Sequence, residues 1–252
     1  MAALVKVGLC GFTIGADLYY ETYRVLEIQQ TFYEPPAPAT MLKWRAQAPA
    51  GFEFTMKAWQ VITHAATSRT YRRMKTPMSE TQRKECGAFR PNDTVLAAWE
   101  TTLARARLIR ASAILFQCPA SFRWEKENVA NMKRFFREIG RPEGIRFLWE
   151  PRGPWPDDAV RGLCEELGLI HAVDPFLRPS LTPELLYWRL HGNGSSYASY
   201  TAEELQTLQG WLQRCDGEAY IMFNNIPRPE DSRRFLRLIA AGMERVQESK
   251  AR

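Results

Sequence analysis

The feature that most constrains the fold is an alternation of short apolar runs with helix-like stretches along the 252 residues. Apolar or β-branched runs bounded by Gly, Pro or Asn are typical of buried parallel strands. The chain contains eight such runs: Val5–Cys10, Val25–Gln30, Phe52–Ala58, Ala113–Gln117, Arg146–Glu150, Leu169–Asp174, Tyr187–His191 and Ala219–Asn224. Each run has the length of a strand, so the pattern predicts eight strands joined by crossover connections.

The stretches between the runs have the period of amphipathic helices. Leu205, Leu208 and Leu212 form one apolar stripe, and Thr201 and Glu204 before it have the spacing of a capping box. Helical patterns are weakest after the first and the sixth run. Strands that alternate with helices pair in parallel, and eight units predict closure into an α/β, (β/α)₈ TIM-like barrel. A doubly wound open sheet is the alternative, although no Gly-x-Gly-x-x-Gly follows the first strand.

The length fits one domain over residues 1–252, with a basic insertion after the third strand at about residues 65–91. Arg69–Arg90 contains seven basic and two acidic residues, a net charge of +5 out of +6 for the chain. A local basic patch favours an anionic small molecule or nucleic acid as partner, and a solvated surface is the alternative.

Composition and motifs exclude several other classes. The five cysteines are odd in number, scattered and without a C-x-x-C pair, which predicts reduced thiols in a cytoplasmic protein. The first ten residues are too short and strand-like for a signal peptide, and no apolar stretch is long enough to cross a membrane. No Walker-type loop or other nucleotide-cofactor motif is present, and no tight metal-ligand spacing occurs.

Most of the predicted strands end in charged or hydrogen-bonding side chains. In a barrel these would point into the mouth, the opening at the C-terminal strand ends where ligands bind. The candidate site residues are Glu27, Thr31, Tyr33, Lys57, Gln117, Glu150, Arg152, Asp174, Arg189, His191, Asn224 and Asn225. Of the other histidines, His171 is predicted to lie in the core, and His64 is equally well explained as a helix cap or a ligand contact.

Arg189 and His191 lie on the same side of one strand and could hold an anion and move a proton. We expect acid–base hydrolysis of a phosphoester-type substrate, with Glu150 or Asp174 as base and His191 as acid. The other candidates would bind substrate, with Lys57, Arg152 and Arg189 on the anion. The carboxylates and His191 could also hold Mg²⁺ or Mn²⁺. Alternatively, the charges form structural ion pairs, Glu27 with Lys57 and Glu150 with Arg152.

Several segments together resemble the YecE-like family, a domain of unknown function (domain of unknown function 72). They are Leu26–Tyr33, Pro49–Phe54 with Lys57 and Thr63–His64, Leu115–Pro119, Trp149–Arg152 with Trp155, Arg189–Gly192 and Phe223–Asn225. The resemblance implies a TIM-like barrel with its site at the strand ends, and it supplies no reaction. Two positions depart from the family pattern: Gly153 stands where a His is usual, and Ile226–Glu230 replaces a Gly/Ala-rich helix start.

Two further functions remain open from the sequence. The basic insertion and the aromatic residues near the strand ends could bind nucleic acid without catalysis. The strand-end charges could also pair with one another in a barrel whose partner is another protein.

Overall fold

The eight strands of the computed structural model follow one another in sequence order around a closed barrel. The structure describes residues 4–215 and 217–250. The strands are β1 (Leu4–Cys10), β2 (Val25–Ile28), β3 (Glu53–Lys57), β4 (Ala111–Gln117), β5 (Arg146–Glu150), β6 (Ile170–Val173), β7 (Leu185–Leu190) and β8 (Glu218–Phe223). Pairing is parallel between β3 and β4, β4 and β5, β5 and β6, β7 and β8, and β8 and β1.

Helices surround these strands. They are α1 (Ala16–Thr22), α2 (Gln30–Tyr33), α3 (Pro38–Gln47), α4 (Gln60–Thr63), α5 (Glu80–Glu85), α6 (Asp93–Ile109), α7 (Lys126–Glu138), α8 (Asp157–Leu167), α9 (Ala202–Leu212) and α10 (Arg228–Lys250), with a 3₁₀ turn at Arg69–Arg73. Local signals define several ends. The Thr201–Glu204 capping box predicted for α9 is present, and Gly168 ends α8 in the left-handed conformation, φ 54°.

The predicted α/β barrel is confirmed, and the open-sheet alternative is wrong because β1 pairs with β8. Every predicted strand overlaps an observed one, with ends that differ by no more than two residues. The connection from β6 to β7 differs from the repeating pattern: residues 174–184, all of them described, contain no helix. Pro175, Pro179 and Pro183 recur every four residues there, and each lacks the N–H that a helix interior needs.

The chain divides into two compact units. Unit 1 comprises Met1–Leu26 and Val173–Arg252, and unit 2 comprises Glu27–Ala172. In unit 1, the Tyr19 hydroxyl accepts a hydrogen bond from Leu9 N and donates one to Val25 O, both at 2.9 Å. This buried bridge ties α1 to the strands on either side of it.

The core of unit 2 contains a cluster of aromatic side chains that pack at edge-to-face and tilted angles. Its members include Phe89, Trp99, Phe116, Phe135, Phe136 and Phe147, all buried. Their ring centroids lie between 5.1 and 6.3 Å apart, the range in which aromatic pairs add to simple burial. This cluster holds α6 and α7 against β4 and β5.

The basic segment between β3 and α6 is ordered by internal contacts. Tyr71 is buried and its hydroxyl donates to His64 O at 2.9 Å. Ser79 and Gln82 form a capping box at the start of α5. Gly87 returns the chain to α4 with φ +87°, and a Cβ there would lie 2.6 Å from Ala65 N. Only glycine fits this close approach without strain.

The five cysteines, all of them among the described residues, are buried thiols outside any disulfide bond. Among the described residues, no helix combines the length and apolar character needed to cross a membrane.

Candidate active site at the strand ends

In unit 1, Asp174 holds His191. Asp174 follows β6 directly and is buried, while His191 follows β7 with 27% of its side chain exposed. Asp174 Oδ2 accepts a hydrogen bond from His191 N at 2.9 Å and lies 3.4 Å from the ring Nδ1. Asp174 Oδ1 accepts from Phe176 N at 3.1 Å. The carboxylate is therefore fixed at both oxygens and positions the imidazole.

The other ring nitrogen of His191 faces Arg189. Arg189 lies on β7, is fully buried, and its Nη1 is 3.4 Å from His191 Nε2. A guanidinium has only donors, so Nε2 must accept in this contact. The proton of the neutral ring then sits on Nδ1, toward Asp174. The Nε2 lone pair of the neutral ring thus faces Arg189.

Arg228, which the sequence patterns did not indicate, lies in unit 1 at the start of α10. Its Nη1 donates to Asn225 O at 3.0 Å. Among the described residues its buried Nε has no hydrogen-bond partner. Burial lowers the pKa of Arg228, and the electrostatic influence of Cys10 and Tyr19 opposes that shift. Arg189 Nη2 lies 3.7 Å from the Cys10 sulfur.

The two asparagines after β8 have structural contacts. The backbone N–H groups of Asn224 and Asn225 both donate to Leu190 O, at 2.8 and 3.1 Å. The Asn225 side chain donates to Asp231 Oδ2 at 2.7 Å and to Ala198 O at 3.0 Å. These bonds lock the turn that leads into α10 and position Arg228 at its start.

In unit 2, Glu150 and Arg152 form the predicted ion pair. Glu150 ends β5 and is buried, whereas 40% of the Arg152 side chain is exposed. Arg152 Nε and Nη2 each lie 3.0 Å from Glu150 Oε1. The paired geometry supports the structural interpretation of this carboxylate.

Lys57, at the end of β3, is buried among polar and aromatic partners. Its Nζ donates to Gln117 Oε1 at 2.8 Å and lies 3.9 Å from the centroid of the Phe32 ring. Thr31 Oγ1 donates to Lys57 O at 2.7 Å and so joins α2 to β3. The Lys57 amine is thus held between an amide oxygen and an aromatic face.

Glu27, on β2, is fully buried and accepts a hydrogen bond from the side-chain amide of Gln29. Unit 2 thus brings Glu27, Lys57, Gln117, Glu150 and Arg152 to strand ends, as predicted. The contacts given above for these residues are with other side chains of unit 2. The assignment of these residues to substrate binding stays a prediction.

His64, at the end of α4, is a buried neutral imidazole. Its Nδ1 lies 2.8 Å from Thr63 Oγ1, and its ring packs edge to face on Phe32 at 4.9 Å. Burial, followed by the positive charges of Lys57 and Arg152, lowers the pKa of His64 to about 3. Of its two predicted roles, the structure gives the helix-capping position directly. His171 is fully buried, as predicted.

The basic segment contacts the end of α2, the short helix that follows β2. Arg73 lies over the Tyr33 ring, 3.6 Å from its centroid. The Glu34 carboxylate accepts hydrogen bonds from Lys75 N at 3.0 Å, from Thr76 N at 3.3 Å and from the Thr76 hydroxyl. The Tyr33 ring therefore already stacks on a guanidinium from the basic segment.

Metal binding was a further option from the sequence. Within the described part of the chain, no group of three or more His, Cys, Asp or Glu side chains is arranged to hold a metal ion. Of the candidate carboxylates, Asp174 contacts His191 and Glu150 contacts Arg152.

The sequence profile described as protein of unknown function DUF72 matches residues 17–252 of this chain. The chain belongs to the DUF72 family. This confirms the resemblance found in the motifs. None of the curated proteins matches the chain.

Solved structures agree with this DUF72 assignment. A DUF72 family protein from Enterococcus faecalis V583 is 18% identical with TM-score 0.69, covering 94% of this chain and 98% of its own. A DUF72 family protein from Thermotoga maritima MSB8 is 18% identical with TM-score 0.66, and the match covers 94% of this chain and 99% of that protein's chain. A xylose isomerase domain containing protein from Salmonella typhimurium LT2 is 13% identical with TM-score 0.56, covering 94% and 96%. At these identities the likeness shows the shared TIM-barrel fold.

The sequence patterns did not indicate Arg228, whose buried Nε has no hydrogen-bond partner among the described residues. It lies in Ile226–Glu230, the segment that departs from the family pattern. That departure could have drawn attention to Arg228, because the prolines on either side of it restrict the backbone at the start of the helix.

Proposed function

We propose that this DUF72 protein hydrolyses a phosphoester-type substrate, with His191 as the general base. The observation that carries the proposal is the placement of the His191 ring between Asp174 and Arg189, which leaves the Nε2 lone pair as the acceptor. A histidine held in place by its neighbours is the commonest proton-transfer group in enzymes.

In the proposed reaction, the phosphate of the substrate takes the Arg189 hydrogen bond away from His191. His191 Nε2 then removes a proton from a water molecule as the water oxygen attacks phosphorus. The bond from phosphorus to the leaving oxygen breaks, and the imidazolium returns the proton to that oxygen. Asp174, on the other side of the ring, stabilises the imidazolium by its charge. His191 therefore acts first as base and then as the acid expected from the sequence, while Asp174 is a positioning residue.

Arg189 and Arg228 are the groups of unit 1 that would hold the phosphate. Arg189 Nη2 lies beside Cys10, and Arg228 Nε is a buried donor without a hydrogen-bond partner among the described residues. Guanidinium groups bind phosphate oxygens through paired, charge-assisted hydrogen bonds. Glu150 is engaged by Arg152, and the proposal therefore does not use it as the base.

Ligand-induced thermal stabilisation tests the anion site. The panel contains inorganic phosphate, hexose phosphates and nucleoside monophosphates, each offered to the wild-type protein, Arg228→Gln and Arg161→Gln. A ligand at about one hundred times its Kd stabilises the native state by about 2.7 kcal/mol. We expect stabilisation of the wild type and of Arg161→Gln, an exposed arginine on α8, and a reduced shift for Arg228→Gln. An equal shift in all three proteins would remove Arg228 from the site.

A second candidate function is nucleic-acid binding by the basic segment. Arg69, Arg72, Arg73, Lys75, Arg83 and Lys84 are exposed, and the segment that carries them is ordered by Tyr71 and the α5 capping box. Ordered cations beside an aromatic ring are a common arrangement for contacting a phosphate backbone and its bases.

Fluorescence anisotropy with a labelled oligonucleotide distinguishes this candidate. Binding through the segment should weaken steeply with salt, because each neutralised phosphate releases counterions. The double variant Arg72→Ser with Arg73→Ser should lower the salt slope by about two. The control, Arg123→Ser with Arg137→Ser, changes the same charge at exposed positions elsewhere in unit 2. If both double variants bind alike, the basic segment is not the contact surface.

A further inference from the structure

No helix forms between β6 and β7, so the outer face of β7 lies against a loop and the end of α9. Residues alternate in direction along a strand. Arg189 contacts His191 and Cys10, so Leu186 and Trp188 lie on the opposite face. These two residues line a surface cavity of about 490 Å³, whose other walls come from residues 175–183 and the end of α9. This volume lies within the range of small-molecule sites. We call this cavity the β7 groove.

The β7 groove is lined by a connected set of aromatic rings. The Phe176 and Trp211 centroids are 5.1 Å apart, and those of Trp188 and Trp211 are 6.3 Å apart. Leu177, at its edge, is 80% exposed. An apolar side chain so exposed, beside aromatic rings that line an open cavity, provides a surface for the apolar part of a ligand.

The polar groups of the groove favour a negatively charged ligand. Arg178 and Arg214 belong to its lining, and the lining residues, all of them described, include no carboxylate. Trp188 is buried, and its indole N–H has no hydrogen-bond partner among the described residues. Two cations thus lie beside an aromatic surface.

We infer that the β7 groove is a second binding site, for a small amphipathic organic anion. Its aryl or alkyl body would pack on Trp188, Trp211 and Phe176. Its carboxylate or sulfonate would lie toward Arg178 and Arg214, which could each bind it through paired hydrogen bonds. This site lies entirely in unit 1 and does not depend on phosphoester hydrolysis at His191.

Two probes of matched shape test the inference: 4-phenylbutyrate, which is an anion, and 4-phenylbutanol, which is neutral. Isothermal titration calorimetry gives the affinities, and the indole ¹⁵N–H resonance of Trp188, assigned from its absence in Trp188→Phe, reports the location. We expect saturable binding of phenylbutyrate at least about tenfold tighter than that of the alcohol, corresponding to one charge-assisted contact. The Trp188 resonance should move during the titration with the same midpoint.

Arg214→Gln should weaken phenylbutyrate about tenfold and leave the alcohol unchanged. Arg214 is exposed, so this variant is expected to fold. Arg161→Gln, an exposed arginine outside the groove, is the matched control and should bind phenylbutyrate like the wild type. Equal affinity for the two probes, an unshifted Trp188 resonance, or wild-type affinity in Arg214→Gln would each overturn the inference. So would the lack of saturable binding by the wild type.

Discussion

Asp174 Oδ2 contacts His191 twice, accepting its backbone N–H at 2.9 Å and lying 3.4 Å from its ring Nδ1. The same carboxylate binds Phe176 N through Oδ1. One side chain therefore fixes the end of β7, the imidazole and the start of the loop after β6. The orientation of His191 is set by a residue seventeen positions earlier in the chain.

Asp174→Asn should reduce turnover more than it reduces stability. The amide keeps an oxygen for a backbone N–H but loses the charge that stabilises the imidazolium. If the amide NH₂ faces the ring, Nδ1 becomes an acceptor and the ring proton moves to Nε2, toward Arg189. We expect kcat for a phosphoester to fall by about 10²-fold or more. Asp158→Asn, which changes a fully exposed carboxylate, is the control, and a kcat within about twofold of wild type would argue against the role of Asp174.

His64 should make the fold sensitive to acid. Burial and the charges of Lys57 and Arg152 lower its pKa from 6.5 to about 3. The unfolded chain therefore binds a proton below about pH 6.5 that the folded chain does not bind until about pH 3. The free energy of unfolding should fall with decreasing pH in this window, by up to about 1.4 kcal/mol per pH unit.

Urea unfolding of wild type and His64→Gln between pH 7 and 4.5 checks this sign and size. Gln cannot take up the proton, so its stability should change less with pH. Carboxylates contribute to both proteins alike, and the difference between the two curves isolates His64. Parallel curves would mean that His64 binds protons equally in the folded and unfolded states.

Arg152→Ala should destabilise unit 2 through its partner. The substitution removes the guanidinium that contacts the buried Glu150 carboxylate at 3.0 Å. Fully buried pairs lose about 3–5 kcal/mol in such variants, but Arg152 is 40% exposed, so we expect about 1–2 kcal/mol in urea unfolding. Arg161→Ala breaks an exposed pair with Asp158 and should cost about 0.5 kcal/mol or less. Equal losses in the two variants would show that burial of Glu150 has no influence.

Gly87→Ala should disturb the basic segment. The backbone there has φ +87°, and the new Cβ would lie 2.6 Å from backbone atoms of His64 and Ala65. Either the strain or the displacement should lower stability by about 1–3 kcal/mol or more. Gly162→Ala, where nothing lies within 4 Å in helix α8, should be neutral or stabilising by up to about 1 kcal/mol. A Gly87→Ala variant as stable as wild type would contradict the close packing described here.

The barrel could be predicted because its signals are local. Each strand is an apolar run with its own boundaries, and the weak helical pattern after the sixth strand coincides with Pro175, Pro179 and Pro183, where no helix forms. Glu150 and Arg152 also pair as expected, since they are two residues apart. The strands, the helix-free connection and this ion pair all depend on residues that are close in sequence, so the order of the residues predicts them.

The site was less predictable because its contacts join distant parts of the chain. Arg228 is positioned by the Asn225 turn and influenced by Cys10 and Tyr19, more than two hundred residues away. Asn225 was selected as a substrate ligand, but its amide donates to Asp231 and Ala198. The proton-accepting face of His191 follows from its contact with Arg189, whose direction a sequence pattern cannot give.

The most direct test of the account is the hydrolysis of p-nitrophenyl phosphate and bis(p-nitrophenyl) phosphate by the wild type and by His191→Gln. We expect the wild-type protein to hydrolyse at least one of the two esters. We also expect a fall in kcat/KM of about 10²- to 10⁴-fold in the variant, with a melting temperature close to that of the wild type. Turnover in His191→Gln equal to wild type, or no hydrolysis of either ester by the wild type, would contradict the account.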